Sequence, residues 1–259
     1  MMRPRIGSQL GRQLGSSLRS LGAMVGLSLL GCPMTGATTG AMTGATTGAM
    51  TGTMTGAAAR PTELPFTELQ RLAPSIRVEL RYATTNNFTG KVLYPAEARC
   101  YLRTAVAEAL AKVATALQAE GLGLKVFDCY RPQRVQFQLW ELVHDERYVA
   151  SPHKGSRHNR GAAVDLTLVD QDGRELPMPT PFDDFTEKAH RSYQDLPAEA
   201  KRNRARLEQA MTRAGFVGLP TEWWHFDAAD WQRHPLADVP FAALAAARPQ
   251  VPPATGPTP

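Results

Sequence analysis

Two separated segments constrain the fold of this chain most: Ser156-Arg157-His158-Asn159-Arg160-Gly161-Ala162-Ala163-Val164-Asp165 and Glu222-Trp223-Trp224-His225. Neither carries enough ligands to hold a cation, yet together they supply two imidazoles and two carboxylates. Zinc sites that perform chemistry hold the metal through three protein groups and keep a fourth position for water. His158, Asp165 and His225 fit the three, and Glu222 fits the base that takes the water's proton. A fold that uses them must bring the two segments face to face.

Local pattern adds detail. Ala163 to Val169 alternates like a strand, so Asp165 shares a face with Ala163 and Thr167, while Val164, Leu166 and Leu168 point into a core. A carboxylate in an otherwise apolar strand is costly to bury unless it is paired or ligating. Taken alone, Asp165 also reads as an arginine partner and His158 as a loop residue. Gly161 lets the backbone turn tightly between them. Glu222 and His225 face opposite sides of a straight strand, so they share a metal only if the chain bends at Trp223-Trp224.

The rest of the chain divides by composition. Its formal net charge is +5. Residues 1–31 hold Arg3, Arg5, Arg12 and Arg19 and no acid, which leaves the remainder near neutral. Nothing in that balance calls for a nucleic-acid partner. The Arg-bearing stretch precedes an apolar run, Leu21 to Leu30, too short to anchor stably across a bilayer. From residue 34 to 56 an eight-residue Met-Thr-Gly-Ala-Thr-Thr-Gly-Ala unit recurs from Met42 and decays from Met50, with no side chains to build a core. Residues 32–62 are read as a tether and the Pro-rich 247–259 as a disordered tail.

The folded domain is therefore placed at 63–246. Leu102 to Glu120 has helical periodicity through Val106, Leu110, Val113 and Leu117; Leu124 to Asp128 alternates like a strand. Pro132 opens a helix, as does Pro197, and Phe216 to Phe226 reads as strand broken by Pro220. Helices and strands mix without a βαβ rhythm, which favours an α+β domain. No Gly-x-Ser-x-Gly elbow suggests a serine nucleophile.

The combination Ser-x-His-x6-Asp and Glu-x-x-His resembles the VanX-type D-alanyl-D-alanine dipeptidases, a zinc metallopeptidase family in the hedgehog/DD-peptidase fold group. The similarity runs from about Ile76 to Ala228. Arg77 to Gly90 is similar to the family's substrate segment, Asp128-Cys-Tyr-Arg131-Pro to its arginine motif, and Met178 to Asp183 to the loop lining the dipeptide pocket. Cys129 stands where the family's glycine is expected.

The resemblance implies a central antiparallel sheet flanked by helices and one Zn2+ per chain held by His158, Asp165 and His225. It implies Glu222 as general base and then acid, and Arg131 as stabiliser of the oxyanion. It places Tyr82, Ser156 and Asp183 near a bound dipeptide, Asp183 facing its ammonium with Asp184 as local competitor. His144, His153, His190 and His234 fall outside the motif. The implied reaction is zinc-dependent hydrolysis of D-Ala-D-Ala in cell-wall peptide turnover. The alternatives are a D,D-carboxypeptidase or endopeptidase on peptidoglycan stems and, in a different class, a non-catalytic zinc-containing wall-binding module.

Leu29-Leu30-Gly31-Cys32 resembles the bacterial lipobox, so 1–31 is expected to be a lipoprotein-type signal peptide cleaved before a lipidated Cys32. That would place the domain in the periplasm on a membrane lipid anchor, with no protein partner expected. Simple secretion is the other reading of the leader. An oxidising compartment would leave Cys100 and Cys129 as an even pair, and a bridge between them would contribute roughly 3 kcal/mol through loop closure.

Overall fold

The computed structural model describes residues 66–247; the leader, Cys32, the repeat tether and the Pro-rich tail lie outside the described residues. The chain opens with β1 (Phe66–Glu68), α1 (Leu69–Leu72) and β2 (Arg77–Val78), followed by β3 (Tyr101–Arg103) and α2 (Thr104–Gln118). Next come β4 (Gly123–Asp128), α3 (Gln133–Leu142) and β5 (Ala163–Val169). The remainder is α4 (Ala198–Arg213), β6 (Phe216–Gly218), β7 (His225–Ala228) and α5 (Phe241–Ala246).

β1 and β3 form a small antiparallel pair, and the main sheet has the order β2-β4-β5-β7-β6. The expected α+β class holds, but the sheet is not wholly antiparallel, because β2 runs parallel to β4 at one edge. The connection between those strands passes through α2, and a helical crossover returns the chain in the same direction. All the other pairings of this sheet are antiparallel.

The expected helix stripe is present. Val106, Leu110, Val113 and Leu117 are buried on α2, which packs on α1, α4 and β4. Each such side chain contributes about 1.5–3 kcal/mol by leaving water. Leu102, expected in the helix, instead lies in β3, where pairing with Thr67 of β1 holds it extended and fully buried. Pro132 and Pro197 precede α3 and α4 at the N-cap position, as their fixed φ favours.

β5 is buried along its whole length. Val164, Leu166 and Leu168 belong to the hydrophobic core, which leaves Ala163, Asp165 and Thr167 for the opposite face. On that face the register sets Asp128 of β4 beside Asp165 of β5, and Asp165 beside His225 of β7. The β4–β5 register shifts between Val126 and Asp128. One extra residue there turns Asp128 to the Asp165 face, whereas unbroken pairing would have sent it to the other. No helix among the described residues is long and apolar enough to cross a membrane.

Candidate active site

His158 stands in a short 3-10 turn, His158–Arg160, that ends at Gly161 with φ 65°. Ser156 starts this turn: its Oγ accepts the His158 N–H at 3.2 Å, and its own N–H donates to Asn159 Oδ1 at 2.7 Å. A side chain at Gly161 would collide with the Phe66 ring, so both the positive φ and the close approach require glycine. The turn delivers His158 over Asp165 at the entry to β5.

Across the sheet the three expected ligands meet. His158 Nε2 is 3.2 Å from His225 Nδ1, His225 Nδ1 is 3.0 Å from Asp165 Oδ1, and His158 Nε2 is 3.4 Å from Asp165 Oδ2. They form the one His/Cys/Asp/Glu group among the described residues whose donor atoms could close on a metal ion. His144, His153, His190 and His234 do not join it.

The outer partners select which nitrogen each ring presents. His158 Nδ1 lies 2.8 Å from the Cys129 carbonyl, which can only accept, so Nδ1 carries the hydrogen and Nε2 the inward lone pair. His225 Nε2 lies 2.9 Å from Asp227 Oδ1, which in the same way turns the Nδ1 lone pair inward. Burial pulls the His225 imidazole down, but the carboxylates of Asp165 and Asp227 outweigh it and push it up to about 10. Burial would raise Asp165, yet the two imidazoles beside it hold its carboxyl below the usual range. A centre built this way favours positive charge.

Glu222 precedes β7, and the chain bends at Trp223-Trp224 as the shared-metal reading requires. Its Oε2 comes within 3.9 Å of His225 Nδ1. Burial, followed by the repulsion of Asp165, raises its carboxyl above the usual 4.5 against the pull of His225, His158 and Arg131. The bend is pinned from behind by Arg191, whose guanidinium donates to the carbonyls of Leu219, Trp223 and His225. Trp223 and Trp224 are almost fully buried, and Trp223 Nε1 donates to Thr180 at 2.9 Å.

Arg131 is buried and fixed on three sides. Its Nε and Nη2 donate to Asp128 Oδ2 at 3.1 and 2.7 Å, and Nη1 donates to Gln136 at 2.9 Å. Its guanidinium also lies over the Tyr82 ring at 4.9 Å. Asp128 is itself held by the Tyr94 hydroxyl at 2.7 Å and the Cys129 N–H at 2.9 Å. Removing one partner of such a buried pair typically costs about 3–5 kcal/mol. The Cys100–Cys129 disulfide is formed, with Cα atoms 5.3 Å apart, and it ties this segment to the start of β3.

Tyr82, Arg131, Ser156, Asp183 and Glu222 line one cavity of about 520 Å³ with the three ligands. Asp183 receives the Tyr82 hydroxyl at 3.3 Å and is the non-glycine residue with positive φ, 62°, among those described. Such a backbone is sparsely populated and is stored most often at functional sites. Burial, then Asp165 and Glu222, raise its carboxyl well above the usual range. Asp184 turns away and caps the Thr186 N–H at 2.9 Å, so it is not the cavity acid. Asp128, Gln136, Asp227 and Arg191 are the residues that sequence reasoning missed. Asp128 lay inside the quoted arginine motif, and Asp227 sits two residues after His225, on the same strand face.

The family model described as D-ala-D-ala dipeptidase matches residues 62–243. A D-alanyl-D-alanine dipeptidase of Escherichia coli (strain K12) is 42% identical over 181 residues, which is 69% of this chain and 93% of the relative. One from Enterococcus faecium is 33% identical over 191 residues, covering 65% of this chain and 93% of the relative. One from Streptomyces coelicolor is 31% identical over 202 residues, covering 68% and 98%. The matched region contains every site residue described above. The chain belongs to the D-Ala-D-Ala dipeptidase family of metallopeptidases.

Proposed function

We propose that this chain hydrolyses the free dipeptide D-Ala-D-Ala with zinc held by His158, Asp165 and His225. The observation that carries the reading is the convergence of His158 Nε2 and His225 Nδ1, 3.2 Å apart, on the Asp165 carboxylate, whose two oxygens lie 3.0 Å from His225 and 3.4 Å from His158, with Glu222 at the edge. Tetrahedral zinc with nitrogen and oxygen ligands spaces them by about 3.3 Å, so the residues fit one zinc ion per chain. When bound, zinc supplies a Lewis acid that lowers the pKa of water towards neutrality and polarises a carbonyl.

The protein's own residues do the rest. Glu222, raised by burial, accepts the proton of the attacking water and returns it to the leaving amine. Arg131 meets the oxygen on which negative charge develops. Its guanidinium keeps its charge, because Asp128 offsets its burial, and it needs no reorganisation, because Asp128 and Gln136 already hold it. Asp183 takes the substrate ammonium, since an acid raised by burial and by neighbouring acids gains most from an arriving cation. The Tyr82 hydroxyl orients Asp183.

We place the enzyme outside the inner membrane, lipid-anchored through Cys32 in the periplasm. The lipobox-like Leu29-Leu30-Gly31-Cys32 supports this, as does a disulfide between the other two cysteines, which suits an oxidising compartment. Its role is then recycling of wall-derived dipeptide rather than depletion of a cytosolic pool. The test offers D-Ala-D-Ala, L-Ala-L-Ala and a pentapeptide stem to the purified zinc-loaded protein. Release of alanine from D-Ala-D-Ala is expected; cleavage of the stem without the free dipeptide would replace this reading with a carboxypeptidase.

A further inference from the structure

A free dipeptide carries two charges, and the site as described above answers one of them. Asp183 faces the ammonium, and the terminal carboxylate calls for a cation of its own. Most cations lining the cavity are committed elsewhere. Arg131 is bound to Asp128 and Gln136. Arg147 pairs with Asp145 and Lys154 with Glu146, and their side chains are 73% and 74% exposed at the outer rim. Arg160 donates to the His234 carbonyl at 2.6 Å.

Arg157 differs from all of these. It lines the cavity, and its side chain is 39% exposed, set back into the wall. Its guanidinium lies over the Trp231 ring at 4.9 Å, which fixes its plane without using its N–H groups. Its one acidic partner among the described residues is Asp227, reached through Nε at 3.4 Å. Neither Nη nitrogen has a hydrogen-bond partner among the described residues, so the outer fork is open to a two-oxygen ligand. Asp227 in turn holds His225, which sets Arg157 beside the metal ligands. Asp183 shares none of these contacts and lies against Tyr82. Next to Arg157, the Ser156 Oγ accepts from the His158 N–H, which leaves its own hydrogen available to the same carboxylate.

We propose that Arg157 binds the terminal carboxylate of the substrate and sets the preference for a free C-terminus. This rests on the dipeptide reading above. The substrate then lies between Asp183 and Arg157 with its peptide bond over His158, Asp165 and His225, and a longer peptide lacks the carboxylate at that point.

The test compares D-Ala-D-Ala with its C-terminal amide on the full zinc-loaded chain, in the wild type, Arg157→Ala and Arg157→Lys. A charge-assisted pair of this kind is worth about 10- to 100-fold. The acid-over-amide preference in kcat/KM should fall by that factor in Arg157→Ala, with the loss in KM rather than kcat and with zinc content retained. Arg157→Lys should recover part of it. Equal loss on acid and amide, or loss of zinc, would reduce Arg157 to a support for Asp227 and His225 and overturn the proposal, as would no change at all. Calorimetric titration of both ligands on the Glu222→Gln background makes the same comparison without turnover. Preferential binding of the acid through Arg157 in a chain that cleaves neither ligand would sink the dipeptidase reading and leave the carboxylate site standing.

Discussion

Glu222 and Asp227 show how single carboxylates take different tasks from their surroundings. Glu222 is largely buried beside a cation-seeking centre without being one of its three ligands, and Glu222→Gln keeps its shape while removing the base. The expected result is a fall in kcat of about 10²- to 10⁴-fold with bound zinc unchanged, measured by turnover and metal analysis in parallel. Asp227 works through His225, so Asp227→Asn should weaken zinc about 10- to 100-fold in a chelator competition, because it loosens the ring rather than the metal contact. The acid limb of the pH profile follows from Glu222. Its pKa is raised, and the working form is the carboxylate, so activity is present above that pKa and lost as pH falls through it. In kcat/KM against pH at saturating zinc, activity should fall along this acid limb while the metal stays bound, and a rate that stays flat there would remove Glu222 as the base. His158, Asp165, His225 and Glu222 stood out as a motif in the sequence, whereas Arg131 and Asp183 were singled out only through the family resemblance. Asp227, Gln136 and Arg191 were not legible, because what they hold is chosen by a register and a bend that no spacing displays.

At the level of elements, pairing across three strands supplies the floor of the site, and the turn at His158 and the bend after Glu222 complete it. Asp128, Asp165 and His225 come from β4, β5 and β7, and the register shift in β4 brings the first of them to the common face. The alternation of β5 was readable in the sequence, as were the apolar stripe of α2 and the proline starts of α3 and α4. The parallel edge at β2 and the bulge were not, because both depend on contacts far along the chain. Two elements can be tested by stability. Gly161→Ala should destabilise by about 1–3 kcal/mol in thermal or denaturant unfolding, since it forces a side chain into a positive φ against the Phe66 ring. The double change Cys100→Ser with Cys129→Ser should cost about 3 kcal/mol through the released loop. It should also lower activity beyond that loss, because the bridge holds in place the segment whose residue-129 carbonyl orients His158.

At the scale of the whole molecule, the domain with the candidate metal site follows a Thr/Gly/Ala-rich stretch of sequence and a leader that we propose to be an address. The leader and the site make separate claims. Mass analysis of the protein from its host should find a chain beginning at a lipidated Cys32, and an uncleaved chain in the cytosol would overturn the periplasmic role without touching the chemistry. The chemistry itself is tested most directly by alanine release from D-Ala-D-Ala, measured on the full chain with zinc, after chelation and after zinc is restored. The account predicts turnover that disappears with the metal and returns with it, and that stays absent in Glu222→Gln even when zinc is bound. Turnover that survives chelation, or a Glu222→Gln variant with near-normal rates, would contradict it.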